Sequence, residues 1–356
     1  MKSCIVVNAT ALDASGALGI LRQFVENIPS ESGYRWLIFI SDKVEVENKN
    51  ANVKLEPISN VKSLPRRFWW DTVGLKRWLK LREIKPLAAI SLQNTGFSVG
   101  ADVLSYIYYH QPVPLMDFSW NIFKREHRGL WFYKNIYPLF VRLFLRSRTE
   151  VFVQLEYIKD LFNKKFGTSL DKIHIISPSV HIPKESTIRS ITLPQETVNL
   201  FYPSTAVFYK NHAVLAKAMA GVADNVRLNL TITKDDCPGE IEENKYEFLG
   251  RMPYADVLSF YKACDALVFP SYIETYGLPL IEAASLGVPI IAADLPYARE
   301  VLDGYEGVTF VPYDDAEGWS RAISELRKGV RYSPLQLKSR PSWQELFNIV
   351  ESKINK

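Results

Sequence analysis

The sequence predicts an α/β protein built on parallel sheets, in two domains. Three observations point there. Short apolar runs that read as buried strands alternate with longer amphipathic stretches that read as helices. The clearest repeat of that alternation, Ala266 to Gly304, passes from strand through a glycine loop into a helix and on to a second strand. At 356 residues the chain is longer than the roughly 100–200 residues of a typical domain.

Composition sets the outer limits. With 47% hydrophobic residues the chain can fill sizeable cores, and a net charge of +4 is too small to argue for nucleic acid. The three cysteines, Cys4, Cys237 and Cys264, are scattered and form no C-x-x-C pair, so neither a disulfide framework nor a zinc site is expected. That usage fits a reducing cytosol. The run from Met1 to Val7 is too short for a secretory signal and reads as a first strand. No segment approaches the roughly 18–20 apolar residues of a spanning helix.

In order along the first half, Cys4–Val7 reads as a strand, Asn8–Gly19 as a loop carrying Gly16 and Gly19, and the following residues to about Asn27 as a helix. The glycine spacing is not G-x-G-x-x-G, which argues against a dinucleotide site. Trp36–Ile40, Ala88–Ile90 and Val103–Tyr109 are further strands, and His110 follows the last of them directly. A histidine at a strand end sits where ligands gather in α/β sheets. A lone histidine is also often structural.

Two stretches mix basic and aromatic residues and look helical. From Lys62 to Lys85, Arg66, Arg67 and six other basic residues outnumber the acids Asp71 and Glu83. From Phe118 to Arg148, seven basic residues, among them Lys124 and Arg125, face Glu126 alone. Such helices can lie on an anionic membrane surface, or they can be solvated faces over a packed core. Nucleic-acid binding uses the same ingredients, but no recognition module accompanies them. Val151–Gln154 and Ile173–Ile176 are strands. A polar linker is expected between about His181 and Glu196, after Pro178-Ser179-Val180 and through Pro183-Lys184-Glu185-Ser186.

The second half begins with a strand at Val198–Tyr202, then a loop to His212 and a helix through Ala220. Val226–Ile232 is a strand and Tyr254–Cys264 a helix. Ala266–Phe269 is a strand, followed by a loop with Glu274 and a helix opening at Leu278-Pro279, where proline's missing N–H is harmless. Glu282 is expected in that helix's first turn. Gly287 ends the helix before the strand Val288–Ala292. Val308–Val311 is a strand and Ala316–Lys328 a helix. From about Pro341 a terminal helix presents Trp343, Leu346, Phe347 and Ile349 on one face.

The Glu274 to Glu282 spacing permits specific chemistry. The loop carboxylate can meet a hydroxylated ligand and the helical one a diol such as ribose. The amides of Tyr276, Gly277 and Leu278 lie between them, at a helix start that attracts an anion such as a diphosphate. Hydroxyl, phosphate and diol in that order describe a nucleotide sugar. Equally, Glu282 can serve the helix macrodipole and Glu274 can simply be solvated.

The run Phe269-Pro270-Ser271, Glu274, Gly277-Leu278-Pro279, Glu282-Ala283, Gly287-Val288-Pro289, with Pro296 and Glu300-Val301 beyond it, resembles the E-x7-E signature of retaining glycosyltransferase family 4. The resemblance implies a GT-B fold, two Rossmann-like domains facing across a cleft. The corresponding domains are residues 1–182 for the acceptor, 196–336 for the nucleotide sugar, and 337–356 as a helix returning to the first domain. It also implies site residues. His110, Lys210 and Glu274 would be catalytic: His110 and Glu274 would contact the transferred sugar, and Lys210 would grip the diphosphate. Gly16, Arg251, Tyr276, Gly277, Leu278 and Glu282 would bind the donor, Arg251 within the turn that reads the base. The family's arginine position holds Thr205 and its glycine after the lysine holds Asn211.

The implied activity is metal-independent transfer of a hexose-type sugar, with retention, to a glycan acceptor. Nothing but the nucleotide-sugar substrate is expected as a cofactor, and no metal. The basic–aromatic stretches suggest a lipid-linked oligosaccharide of O-antigen or capsule assembly at the cytoplasmic membrane face. The other readings are a sugar-nucleotide epimerase or phosphorylase of the same fold, and a non-catalytic glycosyltransferase-like subunit, which Thr205 encourages.

Overall fold

A computed structural model describes residues 3–13, 15–61, 63–180, 187–239, 241–336 and 340–355. The chain forms two compact units, Met1–Ser179 with Arg340–Lys356, and Val180–Ser339. Lys62, and the expected linker's residues 181–186, lie outside the described residues.

The first unit is a seven-stranded parallel sheet in the order β3-β2-β1-β4-β5-β6-β7. Its strands are β1 (Cys4–Asn8), β2 (Arg35–Ser41), β3 (Val53–Ile58), β4 (Pro86–Ser91), β5 (Leu104–Tyr108), β6 (Thr149–Val153) and β7 (Ile173–Ile175). β1 pairs in parallel with β2 on one side and β4 on the other. It is buried on both faces, as its unbroken apolar run requires. Ile5 and Val7 enter one core, while Val6 enters the opposite one with Phe39, Trp70 and Leu75.

The helices that cover this sheet are α1 (Ser15–Asn27), α2 (Leu64–Trp69), α3 (Leu75–Leu81), α4 (Arg128–Asn135), α5 (Tyr137–Phe144) and α6 (Glu156–Phe166). α1 begins earlier than expected, so Gly16 and Gly19 are helical and the loop after β1 is shorter. β3 was not anticipated: its half-exposed, charged sequence VKLEPI lacks a clean apolar run because it is the sheet's edge. The first basic stretch is helical, but a π-helical turn at Trp70–Gly74 interrupts it between α2 and α3. The second is irregular at first, with a short 3-10 turn at Arg125–His127 before α4 and α5.

The second unit is a six-stranded parallel sheet in the order β10-β9-β8-β11-β12-β13. In chain order it runs β8 (Val198–Tyr202), α7 (His212–Ala220), β9 (Val226–Leu230), β10 (Tyr246–Phe248), α8 (Tyr254–Ala263), β11 (Ala266–Phe269), α9 (Leu278–Ser285), β12 (Ile290–Ala293), α10 (Pro296–Val301), β13 (Val308–Val311) and α11 (Ala316–Ser324).

The last helix, α12 (Trp343–Ile354), belongs to the first unit. Trp343, Leu346, Phe347 and Val350 join the core that holds Phe24 and Trp36, while Ile349 packs only partly against it. The aromatic rings of Phe24 and Trp343 meet edge to face at 5.8 Å, and those of Trp36 and Phe347 at 5.3 Å. Each such contact adds about 0.5–1.5 kcal/mol beyond burial.

Candidate functional site

The second sheet changes direction between β8 and β11. From β8 the chain winds outward to β9 and β10, and from β11 it winds the other way to β12 and β13. Loops leaving the carboxyl ends of two such neighbours part from each other and leave a crevice for a ligand. Here they are the loop after β8, which carries Lys210, and the loop after β11, which carries Glu274.

The two side chains meet. Lys210 Nζ donates to Glu274 Oε1 at 2.5 Å, and both are mostly shielded from water. Lys210 lies in a 3-10 turn, Phe208–Lys210, just before α7 rather than inside its start. Tyr202 at the end of β8 donates its hydroxyl to the Lys210 carbonyl at 2.7 Å, and the Tyr272 amide donates to the Tyr209 carbonyl at 3.0 Å. The loops are therefore tied at several points.

Asn211 explains how the chain dispenses with the glycine expected after the lysine. Its φ is +60°, a left-handed backbone that asparagine tolerates far better than other side-chain-bearing residues. Its side-chain amide also donates to the carbonyls of Tyr313 at 2.7 Å and Pro270 at 3.3 Å. The substitution keeps the turn and adds a clasp between loops.

Gly277 precedes α9 with φ +76°, where a Cβ would also crowd Leu280 and the Tyr297 ring at 3.3 Å. Among the described residues no side chain caps this helix start. Tyr276 is buried and Leu278 opens the helix. Glu282 lies one turn deeper than expected, outside the first turn, so the macrodipole does not account for it. It is buried, and its oxygens accept from Tyr254 Oη at 2.9 Å and Tyr261 Oη at 3.0 Å. Burial raises its pKa above the usual glutamate range, against the two hydroxyl donors. A carboxylate oxygen has a second lone pair, so each can still take one more donor. Arg251 is exposed in the turn after β10, three residues before Tyr254, whose hydroxyl reaches Glu282. Thr205 is exposed.

His110 and Gly16 belong to the first unit. Gly16 is exposed in α1. His110 Nε2 lies 2.9 Å from the Leu92 carbonyl, which can only accept, so Nε2 carries the hydrogen and Nδ1 is the acceptor nitrogen. Burial lowers its pKa, which keeps it neutral. Its amide donates to Asn94 Oδ1 at 2.5 Å.

The first sheet has its own change of direction, between β1 and β4. There the structure assembles a cluster that the sequence reading did not single out as a site. Asp71, in the π-helical turn, accepts from Asn8 Nδ2 at 2.8 Å and from Gln93 Nε2 at 2.9 Å. Thr10 Oγ1 donates to Asn8 Oδ1 at 3.0 Å. Arg67 Nη2 donates to the Gln93 carbonyl at 3.0 Å, so this cation is turned inward, whereas Arg66 is exposed. Burial pushes the Asp71 pKa up to about 6, against the opposing pull of Arg67 and its hydrogen bonds. The available signal was a lone carboxylate followed by a basic helix, with Gln93 just past a strand end.

Residues 183–333 match the family model of glycosyl transferases group 1. That segment, 183–333, is similar to the group 1 glycosyl transferases. The O-antigen chain mannosyltransferase of Salmonella typhimurium is 26% identical over 207 residues, which span 55% of this chain and 56% of that protein. The chain thus spans about half the length of the curated relatives it matches. Among solved structures, the glycosyltransferase WaaG, involved in lipopolysaccharide biosynthesis, aligns over 90% of both chains with a TM-score of 0.62 at 12% identity. Anabaena HepE, solved with UDP and glucose, aligns over 90% of this chain and 89% of its own with a TM-score of 0.59 at 13% identity. These likenesses concern the fold, and the fold is that of the GT-B glycosyltransferases. The matched segment contains the Lys210–Glu274 pair and α9.

Proposed function

We propose that this protein is a retaining glycosyltransferase that moves a hexose-type sugar from a nucleotide-sugar donor to a glycan acceptor. One observation carries the reading: Lys210 and Glu274 meet at 2.5 Å where the second sheet changes direction, beside the start of α9. A cation and helix amides at one point suit a diphosphate. In this scheme Lys210 and the amides around Gly277 stabilise charge that develops on the leaving diphosphate. Glu274 holds sugar hydroxyls, Glu282 adds the ribose diol to its two tyrosine partners, and the turn at Arg251 meets the base. Tyr276 and Leu278 supply backbone around the phosphates. His110, neutral and oriented by Leu92, contacts the transferred sugar, with Gly16 near the donor. No protein nucleophile and no metal enter the scheme. The bound UDP and glucose of Anabaena HepE support a nucleotide-sugar donor.

The acceptor in this proposal is a lipid-linked oligosaccharide of surface-polysaccharide assembly, in keeping with the Salmonella relative. The protein would work at the cytoplasmic membrane face. Among the described residues no helix is long and apolar enough to cross a membrane. Phe123 is 87% exposed beside exposed Lys124 and Arg125, a pattern that suits an anionic surface. Reversing charge at Arg66, Lys124 and Arg125 should abolish binding to anionic liposomes, and unchanged binding would remove the membrane from the proposal.

Thr205, exposed where the family has arginine, favours a second reading as a non-catalytic subunit. A panel of UDP-, GDP-, dTDP- and ADP-sugars separates the two by thermal stabilisation and slow donor hydrolysis. At about 100 times its dissociation constant a true donor adds about 2.7 kcal/mol of stability. That gain should vanish in Lys210→Ala and shrink in Glu282→Ala. No response from any donor would favour the subunit. Interconversion of one nucleotide sugar into another, without release of free sugar and without an acceptor, would indicate an epimerase.

A further inference from the structure

Helices α2 and α5 of the first unit enclose a pocket of about 290 Å³. That lies near the lower end of the roughly 300–1,000 Å³ range of small-molecule sites. Leu64 and Phe68 line it from α2, and Phe140 and Phe144 from α5. The rings of Phe68 and Phe140 touch edge to face at 5.7 Å. Arg67, Asp71, Thr95 and Tyr137 add polar groups to a mainly apolar lining. Arg67 and Asp71 belong to the cluster at the β1–β4 change of direction, the position where α/β sheets receive ligands.

The apolar character does not stop at the wall. Leu64 is 57% exposed and Phe68 43%, and on α5 Leu139 is 61% exposed and Leu143 54%. Exposed leucines and an aromatic on the two helices that line a pocket mark a contact surface rather than scatter. The lining therefore combines a carboxylate, a guanidinium and hydroxyls with hydrocarbon. Asp71 and Arg67 offset each other's charge, so the polar groups suit a neutral hydroxylated head better than a strong anion. An apolar lining that also carries hydroxyl-binding groups matches an amphipathic glycolipid.

We infer that this pocket binds the hydrocarbon chain of a lipid-linked glycan acceptor, with the head's hydroxyl groups at Arg67, Asp71 and Thr95. The inference deepens the proposed transfer to a lipid-linked acceptor and rests on it. It assigns the lipid to one pocket, beyond general attraction to a membrane surface.

Octyl β-D-glucoside, kept below its micelle concentration, is the probe. Titrated into the full chain and followed by calorimetry, it should bind saturably, whereas glucose at the same concentration should not. Leu64→Asp and Phe68→Asp put a charge at exposed positions of the pocket, so folding should survive, and each should weaken binding at least about tenfold. If either variant fails to fold, a photoreactive alkyl glucoside replaces it as the test: label should fall on peptides from α2 and α5. Absence of saturable binding, label elsewhere, or unchanged affinity in both variants would overturn the assignment and return the groove to a protein partner. Tighter binding of octyl phosphate than of the glucoside would overturn the choice of head group. The donor panel is read separately. Donor binding without glucoside binding sinks this inference alone, and glucoside binding without any donor response sinks the proposed transferase while the pocket stands.

Discussion

Lys210 Nζ and Glu274 Oε1 lie 2.5 Å apart although 64 positions separate them in the chain. The sheet brings them together: β8 and β11 are hydrogen-bonded neighbours, and each residue sits in the loop that leaves its strand. Lys210→Ala should lower turnover of the donor by about 10²–10³-fold, the range seen when one stabilising donor to a developing charge is removed. Thermal melting should change much less. A loss in turnover below about fivefold would separate Lys210 from the chemistry.

Tyr261 is fully buried, and Tyr254 is 51% exposed, yet both donate to Glu282. Tyr261→Phe leaves a buried carboxylate oxygen without its donor and should cost about 1–3 kcal/mol. Tyr254→Phe should cost less, because water can reach the vacated side. Urea denaturation of the two variants checks the order, and equal costs would contradict the burial argument.

Asp71 predicts an inverted pH dependence. Its pKa rises from an ordinary 3.8 to about 6 in the fold. Below 3.8 folded and unfolded chains both hold the proton. Between 3.8 and about 6 only the folded chain holds it, so stability from this group falls as pH rises, and the loss is complete above about 6. The total is on the order of 3 kcal/mol. Other carboxylates act too, so the diagnostic quantity is a difference. Asp71→Asn should gain on the wild type in melting temperature as pH goes from 4 to 7. A constant difference would show that Asp71 does not titrate there.

Trp343 anchors the terminal helix. It packs on Phe24 and Tyr108, and its indole donates to Gln23 Oε1 at 3.1 Å. Trp343→Ala should destabilise the first unit by about 3–5 kcal/mol. The melting of the isolated-site variant Lys210→Ala provides the reference, and a loss under about 1 kcal/mol would mean that α12 is dispensable.

Asn211 separates backbone from side-chain effects. Asn211→Gly keeps the left-handed turn and loses the two amide donations. Asn211→Ala loses both and adds roughly 1–2 kcal/mol for the backbone. Alanine should therefore be the less stable variant in chemical denaturation, and the reverse order would remove the backbone argument.

Much of the second unit was legible along the chain. Ala266–Phe269 is a strand at its expected bounds, because central parallel strands are unbroken apolar runs closed by loop residues; Val308–Val311, at the sheet's edge, also keeps its expected bounds. The start of α9 was readable from Gly277-Leu278-Pro279 for equally local reasons. β3 was not, since an edge strand need not be apolar, and α1 absorbed glycines that locally signal a loop.

What no local pattern could supply was partnership. The sequence by itself determined two parallel-sheet α/β units, the glutamate pair and the lysine ahead of α7. Only the tertiary structure decided that Glu274 spends its charge on Lys210, that Glu282 turns to two tyrosines, and that Arg67 points inward to Gln93. It also drew Asn8, Asp71 and Gln93, far apart in the chain, into one buried cluster. The reason is physical. Strand and helix periodicity depend on neighbours a few residues away, while a side chain's charge state and donors depend on groups that only the strand order brings near.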